Sequence, residues 1–479
     1  MERLQNVQTN HEVFVQNMTV ENRLEIIEEG IRKKYLSRLT EMPIASIQNL
    51  IPLEEDVIDN VRLYHITEMV YQEGEPVTDK FTTVFNTLAT YKAIVFIILD
   101  SDGKKTDFYI GVRNNEVDEQ LKRSTVTLGD ILKHTLVGHF PGIKIKNKDR
   151  MEIAKLSDKI KSKQNVTSVS VVGNSKSKKE QSNQEFVQGL EKLALAMQGR
   201  QYIGIIIAES QSSQAVQVLR KGYQDLYTKL SPLQKIQFSS NETTSVSKSK
   251  SFSEMDGKQK AAMLGSAITS LAGVIGGTVI GAKTGGENLA ATGSMIGGQI
   301  AGQLNGFINS LAPTEQFTAS QSTGTSITTE NKTITDLLQM LDDSLKRTNE
   351  YDSYGMWNVA GYFISDDMSA AEIAASNYRS LMNGENSGRE VSAINSWKKN
   401  HPYMMGEFSD LTTYLSRFIH PKFCYGYNAE CCILTDASTS ISGKELGIHL
   451  GLPRATVSGL PVIEHAEFVK EVCAYRLFQ

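Results

Sequence analysis

Apolar residues recur along the first half of the chain in patterns that predict both helices and strands. Residues 22–40 carry apolar side chains at three- and four-residue spacing, as on one face of a helix. Strands are predicted by continuous or alternating apolar runs at 91–100, 107–113, 166–172 and 201–208. Amphipathic stretches predict helices at 119–137, 184–197 and 215–230. This order indicates an α+β sandwich in which helices lie on one sheet.

A second α+β unit is predicted after the middle of the chain. Residues 334–347 form a helical pattern, residues 356–365 a strand, and residues 369–382 a helix that Asp366 and Asp367 precede as possible caps. Trp397 follows in a turn-rich segment. The predicted organisation is an N-terminal helical region, a first α+β domain, an insert, a second α+β domain and a C-terminal segment, with the boundaries 1–80, 81–235, 236–332, 333–410 and 411–479.

The insert begins and ends with segments rich in serine and threonine, at 239–253 and 320–333. Such segments are typical of flexible linkers. Small polar residues also alternate there with β-branched or aromatic ones, which suits two strands of a ribbon. We favour the ribbon, which would carry the residues between its arms like a stalk.

A glycine-rich hairpin is predicted at 258–315, between those two segments. Residues 261–282 and 288–314 carry no charge, and each stretch approaches the roughly 20 residues that cross a bilayer as a helix. Small residues at four-residue spacing let two helix backbones approach closely. The packing glycines are Gly273, Gly277, Gly281, Gly285, Gly298, Gly302 and Gly306. A membrane hairpin, a soluble glycine-zipper hairpin and a disordered segment all remain open.

The sequence from Gly276 to Thr284 superficially matches a phosphate-binding loop. Ala282 separates the last glycine from Lys283, whereas a Walker A loop needs lysine directly after that glycine. The chain contains no other GxxxxGK[ST] pattern. We therefore expect no ATP hydrolysis, no catalytic residue and no bound cofactor in this chain.

Composition narrows the function classes only slightly. The 479 residues have a net charge of −4, which implies no particular partner, and their 40% hydrophobic content is typical of soluble proteins. Four cysteines form no disulfide framework, and the N-terminus lacks a secretory signal, so a cytoplasmic location is expected. His420, Cys424, Cys431 and Cys432 match no common zinc spacing. The histidines show no triad-like spacing.

One basic stretch stands out from this balance. Residues 133–180 contain twelve lysines and arginines against four acidic residues, a net charge of +8. Such a cluster can bind a phosphate backbone through counterion release, although a solvated helix face has the same composition. Lys144, Lys146, Lys148 and Arg150 are the candidate phosphate contacts, with DNA as the candidate partner.

Short motifs with clear local meaning fill the C-terminal segment. Ser442 and Glu445 have the spacing of a capping box at the start of a short helix. Pro453 is expected to stop that helix, and Gly459 and Pro461 mark a second turn. The amphipathic run 462–472 follows.

Several of these motifs, in this order, resemble the N-terminal half of the HerA/FtsK-type ATPases, a bacterial DNA-pumping and conjugation-type family. The resemblance extends from about residue 80 to the end of the chain. It includes a strand after a hairpin, a Gly-x-Phe-Pro-Gly turn, a ferredoxin-like module and the passage into the motor domain. The matching segments are 108–113, 138–142, 355–387, 435–446 and 452–468.

This resemblance implies a fold of two ferredoxin-like modules and a role in assembly, without the motor. The Walker A and Walker B segments of the family are missing before Gln479, so we expect a fragment or an accessory protein. ATP and magnesium would then belong to a following motor domain. The expected partners are other copies in a ring such as a hexamer, and a motor domain or effector. The alternative is a membrane-interacting or pore-forming protein that acts through the glycine hairpin.

Overall fold

The computed structural model describes residues 27–46, 59–72, 76–116, 123–174, 188–239, 326–330, 332–425 and 433–465. The chain divides into two compact units, a larger one of residues 35–216 and 349–479 and a smaller one of residues 1–34 and 217–348. The fold class is α+β, as predicted.

The helices and strands alternate along much of the described chain. The strands are β1 (Val61–Gln72), β2 (Ala93–Asp102), β3 (Thr106–Asn114), β4 (Lys144–Asn147), β5 (Asn165–Ser170), β6 (Gln201–Gln211), β7 (Lys235–Ser239), β8 (Ser326–Glu330), β9 (Met356–Ser365), β10 (Ala393–Lys398), β11 (Phe423–Tyr425), β12 (Ile433–Thr435), β13 (Thr439–Ser442) and β14 (Val462–His465). The α-helices are α1 (Val77–Ala89), α2 (Thr125–His139), α3 (Arg150–Ser162), α4 (Leu190–Ala196), α5 (Ser213–Leu230), α6 (Lys332–Tyr354), α7 (Met368–Met382), α8 (Phe408–Ser416) and α9 (Gly443–His449).

The larger unit is built on one ten-stranded sheet. Its strand order is β10-β5-β9-β6-β2-β3-β1-β14, with β13 added to β9 and β4 added to β1. The pairs are antiparallel except for β1 and β14, which run parallel. A long antiparallel sheet of this kind needs apolar residues on both faces where helices or loops cover both sides.

The sheet consists of two halves with the same connectivity. The first half, residues 61–147, follows the order β-α-β-β-α-β and arranges its strands as β4-β1-β3-β2. The second half, residues 165–211 and 356–398, repeats that order with β5, α4, β6, β9, α7 and β10, arranged as β10-β5-β9-β6. The halves join where β2 pairs with β6, from Ile94 opposite Glu209 to Asp102 opposite Gln201.

Apolar packing on both faces explains the continuous apolar run of β2. Val95, Ile97 and Leu99 pack into the core that α1, α2, α4, α7 and α9 cover. Phe96 points to the opposite face, where its ring stacks on that of Phe418 at 4.2 Å. Burying a side chain of this size stabilises the fold by about 1.5–3 kcal/mol.

Three features of the large unit differ from the sequence-based expectation. Residues 61–72 lie inside the region expected to be helical, but they form the strand β1. Apolar side chains of this strand are buried in the main core. Trp397 lies in β10 rather than in a turn-rich segment, and its ring stacks on Phe423 at 5.3 Å. Strands from the predicted domains 81–235 and 333–410 share one sheet, since β9 lies between β5 and β6.

The smaller unit contains a helical core and a short ribbon. Its buried residues come from residues 27–31, α5 and α6, namely Ile27, Ile31, Leu226, Leu230, Ile334, Leu337, Leu338 and Leu341. β7 pairs with β8 in antiparallel register, from Lys235 opposite Glu330 to Ser239 opposite Ser326. Of the two predicted Ser/Thr-rich arms, this ribbon includes Ser239 and residues 326–330, and residues 240–253 and 320–325 lie outside the described residues. The glycine hairpin at 258–315 lies outside the described residues.

Candidate coupling segment

Residues 443–465, which include α9 and β14, form a continuous segment that we call the strap. α9 begins where β13 ends, and the Glu445 carboxylate accepts a hydrogen bond at 2.9 Å from the backbone N–H of Ser442. This contact supplies the carboxylate half of the predicted capping box. The helix ends at His449, and Leu450 donates its N–H to the carbonyl of Leu446 at 2.9 Å.

The strap crosses from the second half of the sheet to the first. It starts from β13, whose Ile441 lies opposite Trp357 of β9. It ends in β14, whose Val462 lies opposite Met69 of β1. The segment that resembles a passage into a motor domain is therefore attached to strands of both halves.

Contacts with the first half bury the middle of the strap. Leu446, Leu450, Leu452 and Leu460 are fully buried in the main core. Four buried leucines contribute several kcal/mol at about 25 cal/mol per Å² of apolar surface. Four hydrogen bonds also hold the strap to the first half. Tyr71 Oη donates to the carbonyl of Leu452 at 3.2 Å, and Arg454 Nη2 donates to Thr78 Oγ1 at 2.8 Å. The N–H of Thr106 donates to the carbonyl of Ser458 at 2.8 Å, and Ser458 Oγ donates to the carbonyl of Lys104 at 2.8 Å.

Contacts with the second half centre on His449. The backbone N–H of Gly173 donates to His449 Nε2 at 2.9 Å, and His449 Nδ1 lies 2.7 Å from Tyr378 Oη. Because Nε2 accepts, the neutral ring carries its proton on Nδ1 and donates to the phenol oxygen. Burial lowers the pKa of His449 to about 3. A Cβ on residue 173 would lie 2.5 Å from Nε2, so this approach requires glycine.

Glu191 of α4 is a buried acid beside the strap. Its carboxylate accepts the backbone N–H of Arg454 at 3.3 Å. Burial raises the pKa of Glu191, and this effect outweighs the opposing influence of that hydrogen bond and of the Arg454 charge. Arg454 lies in the matching segment 452–468, whereas Glu191 lies in a helical pattern that gives no sign of its partner.

A second polar cluster anchors the chain ahead of the strap on the other face of the sheet. Lys422 Nζ bonds Asp436 Oδ2 at 2.6 Å, with the two side chains 26% and 11% exposed. Burial alone would raise the pKa of Asp436, but the charge of Lys422 and its hydrogen bond to the carboxylate hold that pKa well below its usual range. His420 Nε2 donates to the Asn358 carbonyl at 3.1 Å, and Tyr362 Oη donates to His420 Nδ1 at 2.9 Å.

These contacts position chain segments. His420 and His449 are each occupied at both ring nitrogens. Among the described residues, no group of three His, Cys, Asp or Glu side chains is arranged to hold a metal ion. Burial lowers the pKa of both histidines, so both remain neutral at pH 7.

The four candidate phosphate contacts lie together on β4 and at the start of α3, and three of them form ion pairs. Lys146 is exposed and forms no ion pair with any described residue. The pairs are Lys144 with Glu68 at 2.9 Å, Lys148 with Glu152 at 2.8 Å, and Arg150 with Asp59. Their charge is thus partly compensated within the protein. The seven packing glycines lie outside the described residues.

A polar cleft of about 450 Å³ lies at the start of α7. Lys163 bonds Asp366 at 2.6 Å there, and Arg200 lies 3.7 Å from Asp367. The Asp367 carboxylate also accepts the N–H of Ser369 at 3.0 Å, which confirms its predicted capping position. Both cations of the cleft thus have carboxylate neighbours.

Comparison with known proteins gives no independent assignment. No family model, no curated protein and no solved structure matches the chain. In the part of the chain that the structure describes, no helix is long and apolar enough to cross a membrane.

Proposed function

We propose that this chain is the non-catalytic N-terminal assembly and partner-coupling portion of a HerA/FtsK-like ATP-dependent translocase. The observation that carries the proposal is the path of the strap, whose sequence resembles the passage into the family's motor domain. It follows directly on β13, which pairs with β9, and it pairs with β1 through its own strand β14. A motor domain attached beyond it would be connected to both halves of the sheet.

We propose that the two halves of the sheet are the two ferredoxin-like modules that the resemblance implies. Each half has the β-α-β-β-α-β order of that module. The strand orders β4-β1-β3-β2 and β10-β5-β9-β6 are equivalent when the strands are counted within each half. In this proposal residues 217–348 of the smaller unit are an insert between the second and third strands of the second module, that is, between β6 and β9.

In this function the chain positions the motor domain or effector and catalyses no reaction itself. Copies associate into a ring, and a motor domain or partner effector binds ATP and magnesium. The continuous ladder between β2 and β6 prevents the two modules from rotating independently, because each backbone bond in it would have to break. Displacement at the end of the strap is then passed to the whole sheet.

Reconstitution with a HerA/FtsK-type motor domain tests this function. We expect the full chain to associate with the motor and to change its rate of ATP hydrolysis, while the chain alone hydrolyses none. Gly447→Ala, which pushes α9 away from α1, should weaken that effect. Gly138→Ala, at a site with nothing within 4 Å of the added Cβ, is the matched control. Equal motor activity with and without the chain would contradict the proposal.

The second candidate function is membrane contact through the glycine-rich hairpin. Pairing of Ser239 with Ser326 brings the two ends of the insert together, so residues 240–325 leave and re-enter the fold at one place. An insert of this kind can act at a distance from the domain that carries it. We expect leakage from liposomes and retention after a carbonate wash, both lost on deletion of 258–315. An entirely soluble chain whose behaviour the deletion leaves unchanged would exclude it.

A further inference from the structure

His449 holds the strap through a hydrogen bond whose direction is fixed. Its Nε2 atom accepts from the backbone N–H of Gly173, and an amide N–H can only donate. Its Nδ1 atom faces Tyr378 Oη, which can donate or accept. A proton on Nε2 would therefore place two donors 2.9 Å apart in a site that is 1% exposed to solvent.

We propose that His449 is an acid-operated latch, in which proton uptake at Nε2 expels the ring from between Gly173 and Tyr378 and frees the strap from the second half of the sheet. The ring cannot take up this proton while it stays in its buried position. A protonated Nε2 needs a hydrogen-bond acceptor, and the N–H of Gly173 that faces it is a donor. The latch operates in the strap itself, with or without a motor domain attached.

Among the described residues around the ring, no carboxylate is positioned to stabilise the charged form. Tyr378 of α7 is the titratable side chain that contacts the ring among the described residues. The carboxylate of Glu445 in α9 accepts a hydrogen bond from the backbone N–H of Ser442. The carboxylate of Glu191 in α4 accepts one from the backbone N–H of Arg454. Arg454 donates to Thr78 of α1. The low pKa of about 3 for His449, which burial causes, agrees with this arrangement.

His420 offers a matched contrast inside the same molecule. It is also fully buried and also bonded to a tyrosine, at 2.9 Å from Tyr362 Oη. Its Nε2 faces the carbonyl of Asn358, which accepts, and its Nδ1 faces a hydroxyl, which can reverse its role. Burial lowers the pKa of His420, and the charges of Asp436 and Glu209 act against that lowering. His420 can therefore take up a proton without losing its hydrogen bonds.

Hydrogen exchange of the full chain between pH 7.5 and pH 4.5 tests the latch. After correction for the intrinsic exchange rate of each amide, opening of residues 443–465 should rise about tenfold per pH unit below the ordinary histidine pKa of 6.5. His449→Gln, whose side-chain oxygen still accepts from Gly173, should make opening independent of pH. His420→Gln and Tyr378→Phe should both keep the rise, because His449 and the Gly173 amide remain.

Two results would overturn the latch. One is opening of the strap that stays constant over this pH range in the unsubstituted chain. The other is an equal rise in His449→Gln. If that variant does not fold, the nitrogen NMR signals of His449 decide: the latch requires the Nδ1–H tautomer with no titration of the closed form above pH 4, and a ring that titrates normally in place contradicts it.

Discussion

A Cβ atom on residue 447 would lie 2.8 Å from the carbonyl oxygen of Thr78, so α9 meets α1 at a distance that only glycine permits. Alanine normally stabilises a helix relative to glycine by about 1 kcal/mol. We predict the reverse sign at this position: Gly447→Ala should lower the free energy of unfolding by about 1–3 kcal/mol, the usual cost of overpacking.

The comparison with Gly138 in α2 makes this test decisive. No atom lies within 4 Å of a Cβ built there, so Gly138→Ala should leave stability unchanged or raise it. Thermal melting followed by circular dichroism measures both variants. Equal stabilisation by the two substitutions would show that α9 does not pack on α1 as described.

The ion pair between Lys422 and Asp436 should contribute more to stability than an exposed pair. Lys422→Met leaves a carboxylate that is 11% exposed without its cation, which should cost about 2 kcal/mol. A double-mutant cycle with Asp436→Asn should give a coupling energy of about 1–3 kcal/mol. The control cycle uses Lys332 and Asp336, which are 80% and 52% exposed, and a coupling energy as small as that of this control would contradict the prediction.

Glu191 should make the fold less stable as pH rises. Burial raises its pKa in the folded state above the ordinary value of 4.5, so the folded chain binds this proton more tightly than the unfolded chain. Its contribution is thus most favourable below pH 4.5 and is lost as pH rises through the raised pKa. We therefore compare the free energy of unfolding of Glu191→Gln with that of the unsubstituted chain, both measured with urea. The difference should change in favour of Glu191→Gln as pH rises from 4.5 to 8. A constant difference would count against this assignment.

Among the four candidate phosphate contacts, Lys146 should matter most if this surface binds DNA. Lys144 forms an ion pair with Glu68 at 2.9 Å, whereas Lys146 is exposed and forms no ion pair with any described residue. Lys146→Glu should therefore weaken the binding of non-specific duplex DNA at low salt more than Lys144→Glu does. Fluorescence anisotropy against salt concentration measures both. Equal losses would contradict the greater role of Lys146, and no loss in either variant would remove this surface as a phosphate contact.

Individual helices, strands and caps could be predicted from the sequence where the local residue pattern is compatible with only one kind of element. β9 occupies residues 356–365, where a strand is predicted, and Asp367 caps α7 as expected. The pairing of strands could not be predicted in the same way. β2 and β6 are apolar on both faces, and such runs do not specify a neighbour. Pairing across the 144 residues between β6 and β9 depends on the whole core.

The candidate site was only half visible in the sequence. The motif around Pro453 and the capping pair Ser442 and Glu445 marked the strap. Nothing marked Gly173 or Tyr378 as partners of His449, because a glycine after a strand and a tyrosine on a helix face are ordinary core residues. The contact exists because β5, α7 and α9 meet in space.

The central claim, assembly of this chain into a ring that couples to a motor, is tested most directly by mass photometry. The measurement covers the full chain over a range of concentrations, alone and with a HerA/FtsK-type motor domain. The account predicts a discrete species at an integral multiple of the 53.0 kDa chain mass, with six copies as the expected ring. A single 53.0 kDa species under every condition, with and without the motor, would contradict it.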